Sequence, residues 1–435
     1  MNPFRFIHVA DLHLDSKFIG MKGLSDHIRQ HLRESTFNAL RQLIEIAIVE
    51  KVDFIVVSGD VYDAADSSLR AHLAIQAAFE ELGRHGIHIY VIHGNHDPLD
   101  GPRLQIRNDD HVHVFGPEVE SVIARRRLDQ QEVAVVSGIS YPTSKVTENM
   151  ALKFHRDEKL SLFHIGILHA NVDGDLIHET YSPCTRKELE ASGYDYWALG
   201  HIHMRRVIQE YPHIVYAGNI QGRSVKEIGP KGCYVVDVSE VASVQLTFHE
   251  LDQVRWLIEK ISIDGIHDID EWRMRVEEQV ESIRSQLPDR MSIVRWIITG
   301  RSSIHRELES GHIAEELEQE LRRREIVRAE KDQFGGLVWS ESMSLQSGIE
   351  IDRAELILED HFLGELLRLA DKIEADTDLS KELLDKALSP LMNNREIRLL
   401  VNESTAEEKQ EWLERAGELG AVLLLNEIGE GGRSV

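Results

Sequence analysis

"YVIHGNHDPLDG", residues 90–101, begins as a buried strand and ends as something else. Tyr90, Val91 and Ile92 suit a sheet interior, and Pro98 bars continuation as strand or helix. Between them, Gly94-Asn95-His96-Asp97 sets an amide, an imidazole and a carboxylate side by side. One such ending is an ordinary turn. Its meaning depends on whether other apolar runs end in the same way.

Four others do. "HVADLHLD" yields Asp11 and His13, and "VVSGDVYD" yields Asp60 with Asp63 three residues on. "IGILHAN" yields His169, and "ALGHIHM" yields His201 and His203. The first three runs, "FRFIHVA" (4–10), "DFIVVSGD" (53–60) and "IHIYVIHG" (87–94), alternate with helical patterns over 33–51 and 69–86. That βαβαβ order predicts a parallel sheet section. The carboxy ends of parallel strands share one sheet edge, so groups far apart in sequence converge there. Gly59, Gly94 and Gly200 precede ligands and predict tight turns.

Aspartate, asparagine and histidine without thiolate are mixed oxygen and nitrogen donors. They suit Mn²⁺, Fe²⁺, Ni²⁺ or Zn²⁺ rather than a structural zinc site. Asp11, His13, Asp60, Asn95, His169, His201 and His203 are too many for one ion that keeps an open position. They suit two divalent ions bridged by a carboxylate and a water. Such a pair, ~3.5–4 Å apart, polarises a phosphate and acidifies the water for in-line attack. Asn95 adds no charge to an anionic cluster. His96 is left over as a proton donor to the departing oxygen, with Asp63 or Asp97 to orient its ring.

The whole chain sets bounds on this reading. Its 435 residues predict two or three domains. A net charge of -26 argues against a protein that coats nucleic acid, but not against a nuclease whose cations face the phosphates. Cys184 and Cys233, without a Cys-x-x-Cys, predict a reducing, cytoplasmic setting and read as small buried apolar residues. No long apolar run predicts a membrane span, and no basic-then-apolar leader precedes Phe4.

Further strands are expected at 132–139, 162–169, 195–201, 213–219 and 232–238, accommodated by a second sheet packed on the first. Strands at 255–263, 291–300 and 335–345, with helices at 268–287 and 312–331, predict a small α/β domain. From 352 the pattern is helical, and the tail "GEGGRSV" is expected to fray. The fold expectation is an α/β two-sheet sandwich flanked by helices, a small α/β capping domain over 255–345 and helices over 352–435.

The ordered set Asp-x-His, Gly-Asp-x-x-Asp, Gly-Asn-His-Asp, His, Gly-His-x-His, from 11 to 203, resembles the calcineurin-like metallophosphoesterase signature. Within that superfamily the chain resembles the SbcD/Mre-eleven DNA-repair nucleases. "HVADLHLD", "VIHGNHDP" and "YAGNIQGRSVKEIGPKGCYVVDV" (216–238) carry that likeness. "YSPC" (181–184), "YDYWALGHIH" (194–203) and "GNIQGR" (218–223) point to bacterial YhaO-type exonucleases. The resemblance implies a nuclease domain over 1–250. It implies that Asp11, His13, Asp60 and His203 hold one ion, and that Asp60, Asn95, His169 and His201 hold the other, with Asp60 bridging. It assigns His96 to the leaving group and Mn²⁺ as the usual ion. Asp63 stands where some members carry histidine, which leaves substrate contact and orientation of His96 both open.

The family further implies DNA as substrate and an SbcC-type coiled-coil ATPase as partner. Helices from ~352, with Leu356, Leu363, Leu366, Leu367 and Leu369, would receive that partner. A homodimer through helices of the first ~110 residues is suggested by the same likeness. DNA-contacting residues are not assigned. Gln221 and Arg223 admit either substrate contact or a strand-closing role. The triplets 125–127 and 322–324 read first as solvated arginine faces. A phosphodiesterase or phosphatase acting on a nucleotide or phosphoprotein is the alternative. A non-catalytic scaffold for an ATPase ranks last, because the ligand set is unbroken.

Overall fold

The structure is a computed structural model. It describes all residues except 22, 64–67, 102–105, 107, 175–180, 351–352, 359–361, 394–396, 399–400, 402–403 and 432–435. Two compact units are present. The first comprises Met1–Glu259, Val276–Ile297 and Glu315–Ser344. The second comprises Lys260–Arg275, Ile298–Ala314 and Leu345–Val435.

Two six-stranded sheets build the first unit. One contains β1 (Phe4–Val9), β2 (Phe54–Ser58), β3 (His88–Ile92) and β4 (Val112–Val114), all parallel. β11 (Gly232–Val238) and β12 (Val244–Glu250) extend it antiparallel beyond β1. The other sheet has β6 (Glu132–Gly138), β7 (Phe163–His169), β8 (Tyr196–Gly200) and β10 (His213–Tyr216) in parallel. Its antiparallel edges are β5 (Glu120–Arg125) and β9 (Arg206–Glu210).

β2 shows why the early strands read as unbroken apolar runs. Phe54 and Val56 enter the core between the sheets, while Ile55 and Val57 pack against the outer helices. Successive side chains alternate faces, and both faces are covered. Phe6 stacks on Phe54 at 5.2 Å and meets Tyr196 of the facing sheet edge-on at 5.3 Å. The core between the sheets thus sets β2 opposite β7 and β8.

α1 (Asp26–Val49) and α2 (Leu69–Arg84) cover the first sheet. α1 begins earlier than the periodicity over 33–51 predicts. Ser25 caps it by accepting from the Ile28 amide at 3.4 Å, and Ile28 and Leu32 are buried with Trp256 and Trp339. That apolar surface comes from residues more than 200 positions away in the sequence. The strand predicted at 232–238 also lies elsewhere than expected. It pairs with β1 in the first sheet, not with the second. β4, β5, β9 and β12 lie outside the strands that the sequence pattern predicts. β5, β9 and β12 lie at sheet edges with only part of each strand buried, so their apolar signal is weak.

Three further strands, β13 (Val254–Ser262), β14 (Met291–Thr299) and β15 (Val338–Leu345), form a separate sheet in that order. Helices Ile269–Gln286 and Ile313–Ala329 follow the two helical patterns. The arginine triplets are occupied structurally. Arg126 pairs with Asp129, Arg125 with Glu132, Arg324 with Glu277, and Arg322 donates to the Ser340 and Glu341 carbonyls.

In the second unit, helix Phe362–Ala375 buries Leu363 and Leu367 against Leu356 and Ile357. Leu369 is exposed. Helix Thr377–Leu388 ends just before Pro390, which cannot donate the next helical bond. A last helix spans Ala406–Gly431. The end of the tail expected to fray, 432–435, lies outside the described residues. Among the described residues, no helix is long and apolar enough to cross a membrane.

Candidate metal centre

The loops after β1, β2, β3, β7 and β8 meet at the carboxy edges of their strands. The Asp11 amide donates to the Gly59 carbonyl at 3.1 Å, and the His13 amide donates to the Asp60 carbonyl at 3.0 Å. Asp97 ties the third loop in. Its carboxylate accepts from the amides of Asp60 (3.2 Å), Val61 (2.9 Å) and Gly94 (2.7 Å). Asp97 therefore holds loops together and does not orient His96.

Four of these site residues adopt left-handed backbone: Asp11 (φ 50°), His13 (φ 42°), Asp60 (φ 52°) and His201 (φ 96°). Non-glycine residues rarely do so, and such strain collects at functional sites. The glycines divide in role. Gly59, at φ +89°, makes a tight turn as expected. Gly94 and Gly200 do not have left-handed backbone. They are needed for close approach, since a Cβ would stand 2.3 Å from Asp60 Oδ1 at Gly94 and 2.0 Å from the Ser58 carbonyl at Gly200.

Three imidazoles are held by their Nδ1 atoms. His13 Nδ1 donates to Asp63 Oδ1 at 2.8 Å, and His203 Nδ1 donates to Glu227 Oε1 at 2.5 Å. His169 Nδ1 donates to the Ser58 carbonyl at 2.9 Å. These acceptors fix the proton on Nδ1, so each Nε2 presents its lone pair to the interior. Yet His13 Nε2 faces His203 Nε2 at 3.1 Å. His169 Nε2 faces Asn95 Oδ1 at 2.9 Å and Asp60 Oδ2 at 3.3 Å. Lone pair opposite lone pair is repulsive unless a proton or a metal cation lies among them. The carboxylates of Asp11 and Asp60 are fully buried beside them, and buried anions need compensating charge. This donor set fits divalent cations.

Ligand atoms of Asp11, His13 and His203 lie within 4.8 Å of one another, as do those of Asp11, Asp60 and His169. Asp60 Oδ2 stands 3.3 Å from His169 Nε2 and 3.8 Å from His13 Nε2, between the two groups. His201 is buried, with its ring 5.3 Å from that of His169 and its amide donating to Asp11 at 3.1 Å. All seven predicted ligands therefore gather at one place. His96 is the exposed member, 46 % accessible, and its Nδ1 lies 2.7 Å from Asp63 Oδ1. The Asp63 carboxylate stands against His96 as an orienting role requires. The same carboxylate meets His13, Ser16 and Arg223.

The electrostatics follow from this packing. Burial alone pulls the His169 imidazolium down, but the adjacent Asp60 more than offsets it, and the group is pushed up to about 9. Burial wins at His203, which is lowered despite Glu227. Burial works against ionised Asp60 and Asp63, yet their histidine partners hold both well below the usual carboxylate range. His96 is raised, because Asp63 and Asp60 outweigh burial.

Sequence reasoning missed three supports. Glu227 holds His203, Lys231 Nζ donates to the His203 carbonyl at 2.8 Å, and the Ser58 carbonyl holds His169. Glu227 and Lys231 stand within 216–238, but no spacing rule links them to a metal ligand. Gln221 is structural: its side chain bonds the amides and carbonyl of Gln253 and Val254 that start β13. Trp197 is core, donating to the Leu189 carbonyl at 3.0 Å. Cys184 and Cys233 are buried and free.

The chain resembles known proteins along two stretches. Residues 4–205 match the family described as calcineurin-like phosphoesterase, and residues 256–348 match the metallophosphoesterase YhaO middle domain. The chain is 41% identical over 268 residues to the "Uncharacterized metallophosphoesterase YhaO" of Bacillus subtilis, covering 61% of this chain and 64% of that protein. It is 27% identical to the "DNA double-strand break repair protein Mre11" of Thermoplasma acidophilum, over 67% of this chain and 77% of that one. It is 24% identical to a subunit of the nuclease SbcCD of Staphylococcus epidermidis, over 63% of this chain and 76% of that one. Residues 4–205 are therefore a calcineurin-like metallophosphoesterase domain, of a family of metal-dependent phosphoester hydrolases.

Proposed function

We propose that the protein is a two-metal-dependent DNA exo/endonuclease, the nuclease subunit of an SbcCD-like repair complex. The observation that carries the reading is the set of three Nδ1-anchored imidazoles whose Nε2 lone pairs converge beside Asp60 and Asn95. Asp11, His13, Asp60 and His203 would hold one ion. Asp60, Asn95, His169 and His201 would hold the other. Bound divalent ions, with Mn²⁺ the expected choice, supply Lewis acidity toward a phosphodiester and lower the pKa of water. The chain does the rest. Asp60 and the left-handed ligand loops fix the donors in place before substrate arrives. Asp63 anchors His96 at Nδ1, leaving the other ring nitrogen of this exposed side chain to deliver a proton to the departing oxygen.

DNA as substrate is supported by the similarity to proteins named for double-strand break repair and for the nuclease SbcCD. The ~180 residues beyond the first sandwich also favour a large substrate or a partner over a small ester. The helices from 353 on are the proposed seat of an SbcC-like coiled-coil ATPase, and the cytoplasm is the proposed location.

The test is digestion of end-labelled linear duplex DNA in Mn²⁺, with bis-nitrophenyl phosphate as control. Cleavage of both supports the nuclease. Cleavage of the small ester alone, with DNA untouched in the presence or absence of an SbcC-like protein, would favour a phosphodiesterase acting on nucleotides.

A further inference from the structure

Arg223 lies beside the two carboxylates that hold histidines of the first ion group. Its Nη1 is 3.3 Å from Asp63 Oδ2, and its Nη2 is 3.6 Å from Glu227 Oε1. Its own amide donates to Glu227 Oε2 at 2.5 Å. Asp63 in turn receives His13 Nδ1, Glu227 receives His203 Nδ1, and the two Nε2 atoms stand 3.1 Å apart. The contacts close a ring: Arg223, Asp63, His13, His203, Glu227 and back. A planar guanidinium spans two carboxylates with donors in a rigid fork, whereas an ammonium is a compact point charge that fixes no such geometry. The Arg223 side-chain contacts are thus one hydrogen bond to Asp63 and ion pairs to Asp63 and Glu227, both members of this ring.

We infer that Arg223 is a positioning residue of the metal centre. It locks Asp63 and Glu227, and through them aims His13 and His203 at one point and orients His96. This rests on the proposed two-ion reading and deepens it. The ring includes ligands of one proposed ion only. His169 is anchored separately, by the Ser58 carbonyl, and Asn95 lies on that side. Arg223 therefore acts on the two ions unequally, which a general packing role would not do.

Calorimetric Mn²⁺ titration and the absorption spectrum of the Co²⁺-loaded full chain test this, alongside hydrolysis of bis-nitrophenyl phosphate. Arg223→Gln is expected to weaken one ion by roughly 10–100-fold, the range for loss of a group supporting a ligand, and to spare the other. One component of the Co²⁺ spectrum should change, and kcat should fall with KM held, because the guanidinium sits behind the imidazoles. Arg223→Lys, which keeps charge but not the fork, should fall between. Two ions bound as in wild type, or both weakened equally, would overturn the inference. If Arg223→Gln does not fold, Arg223→Lys decides: wild-type affinities and kcat in that variant overturn it, and selective weakening supports it. A wild-type chain that binds fewer than two ions would overturn the two-ion reading and this inference together. A wild type with two ions and indifferent Arg223 variants sinks only the role of Arg223.

Discussion

His169, a proposed metal ligand, sets two electrostatic effects against each other. Burial opposes its charge, yet Asp60 at 3.3 Å pushes the imidazolium up to about 9. In the unfolded chain an imidazole titrates near about 6.5. The raised value means that the protonated ring stabilises the metal-free fold fully below that pH, and that this contribution is lost as pH rises through about 9. A divalent ion must displace the same proton, so affinity should climb with pH over this window and level off above it. Mn²⁺ titrations between these limits should show that slope in wild type and a shallower one in His169→Asn. His96 makes the complementary case, because its position is exposed and its partner is Asp63. His96→Asn should lower kcat by roughly 10²–10⁴-fold, the usual worth of a general acid, while two ions remain bound. Loss of an ion in that variant would recast His96 as a ligand.

At the level of elements, the strand ends do the positioning. Each apolar strand is covered on both faces, so it cannot slip without moving its apolar set to the wrong side. That rigidity lets the following loop adopt strained backbone, as at Asp11, Asp60 and His201. The close approach of the two sheets leaves no space at Gly200. A methyl there would stand 2.0 Å from the Ser58 carbonyl and 2.8 Å from His169 Nδ1, and the carbonyl is main chain and cannot swing aside. Gly200→Ala should cost about 1–3 kcal/mol, typical of overpacking, and should displace His169 from its ion. A urea midpoint and a metal count would check it. An unchanged midpoint would mean that the β2 and β8 ends yield more easily than their packing suggests. The element reading was strongest where apolar runs were continuous, as in β1, β2, β3, β7 and β8. It was weakest at the edge strands β5, β9 and β12, where one face meets water and the pattern fades.

Across the whole molecule, the proposed metal centre lies within the first unit. Its candidate ligand loops come from both sheets, so bound ions would crosslink β1, β2 and β3 to β7 and β8. Ligands that bind only the native state stabilise it by mass action, about 2.7 kcal/mol at a hundredfold excess over Kd. Hydrogen exchange with and without chelator should therefore show metal-dependent protection of these five strands. The helices at 362–375, 377–388 and 406–431 should exchange alike in both conditions. Protection that spread equally to those helices would contradict an effect confined to the first unit.

The chain alone determined the candidate donors: seven of defined type, in order, each just past an apolar run. Side-chain identity sets what a residue can bind, and an apolar run announces a strand, so both are written locally. Only the tertiary structure decided the supports. Arg223 meets Asp63 across 160 positions, and His203 is held by Glu227, 24 positions on. It also decided that β11 joins the first sheet, that Gly94 and Gly200 serve close approach, and that Asp97 ties loops together. Those facts depend on which distant segments become neighbours, and no local pattern encodes a contact whose energy exists only after the chain has closed on itself.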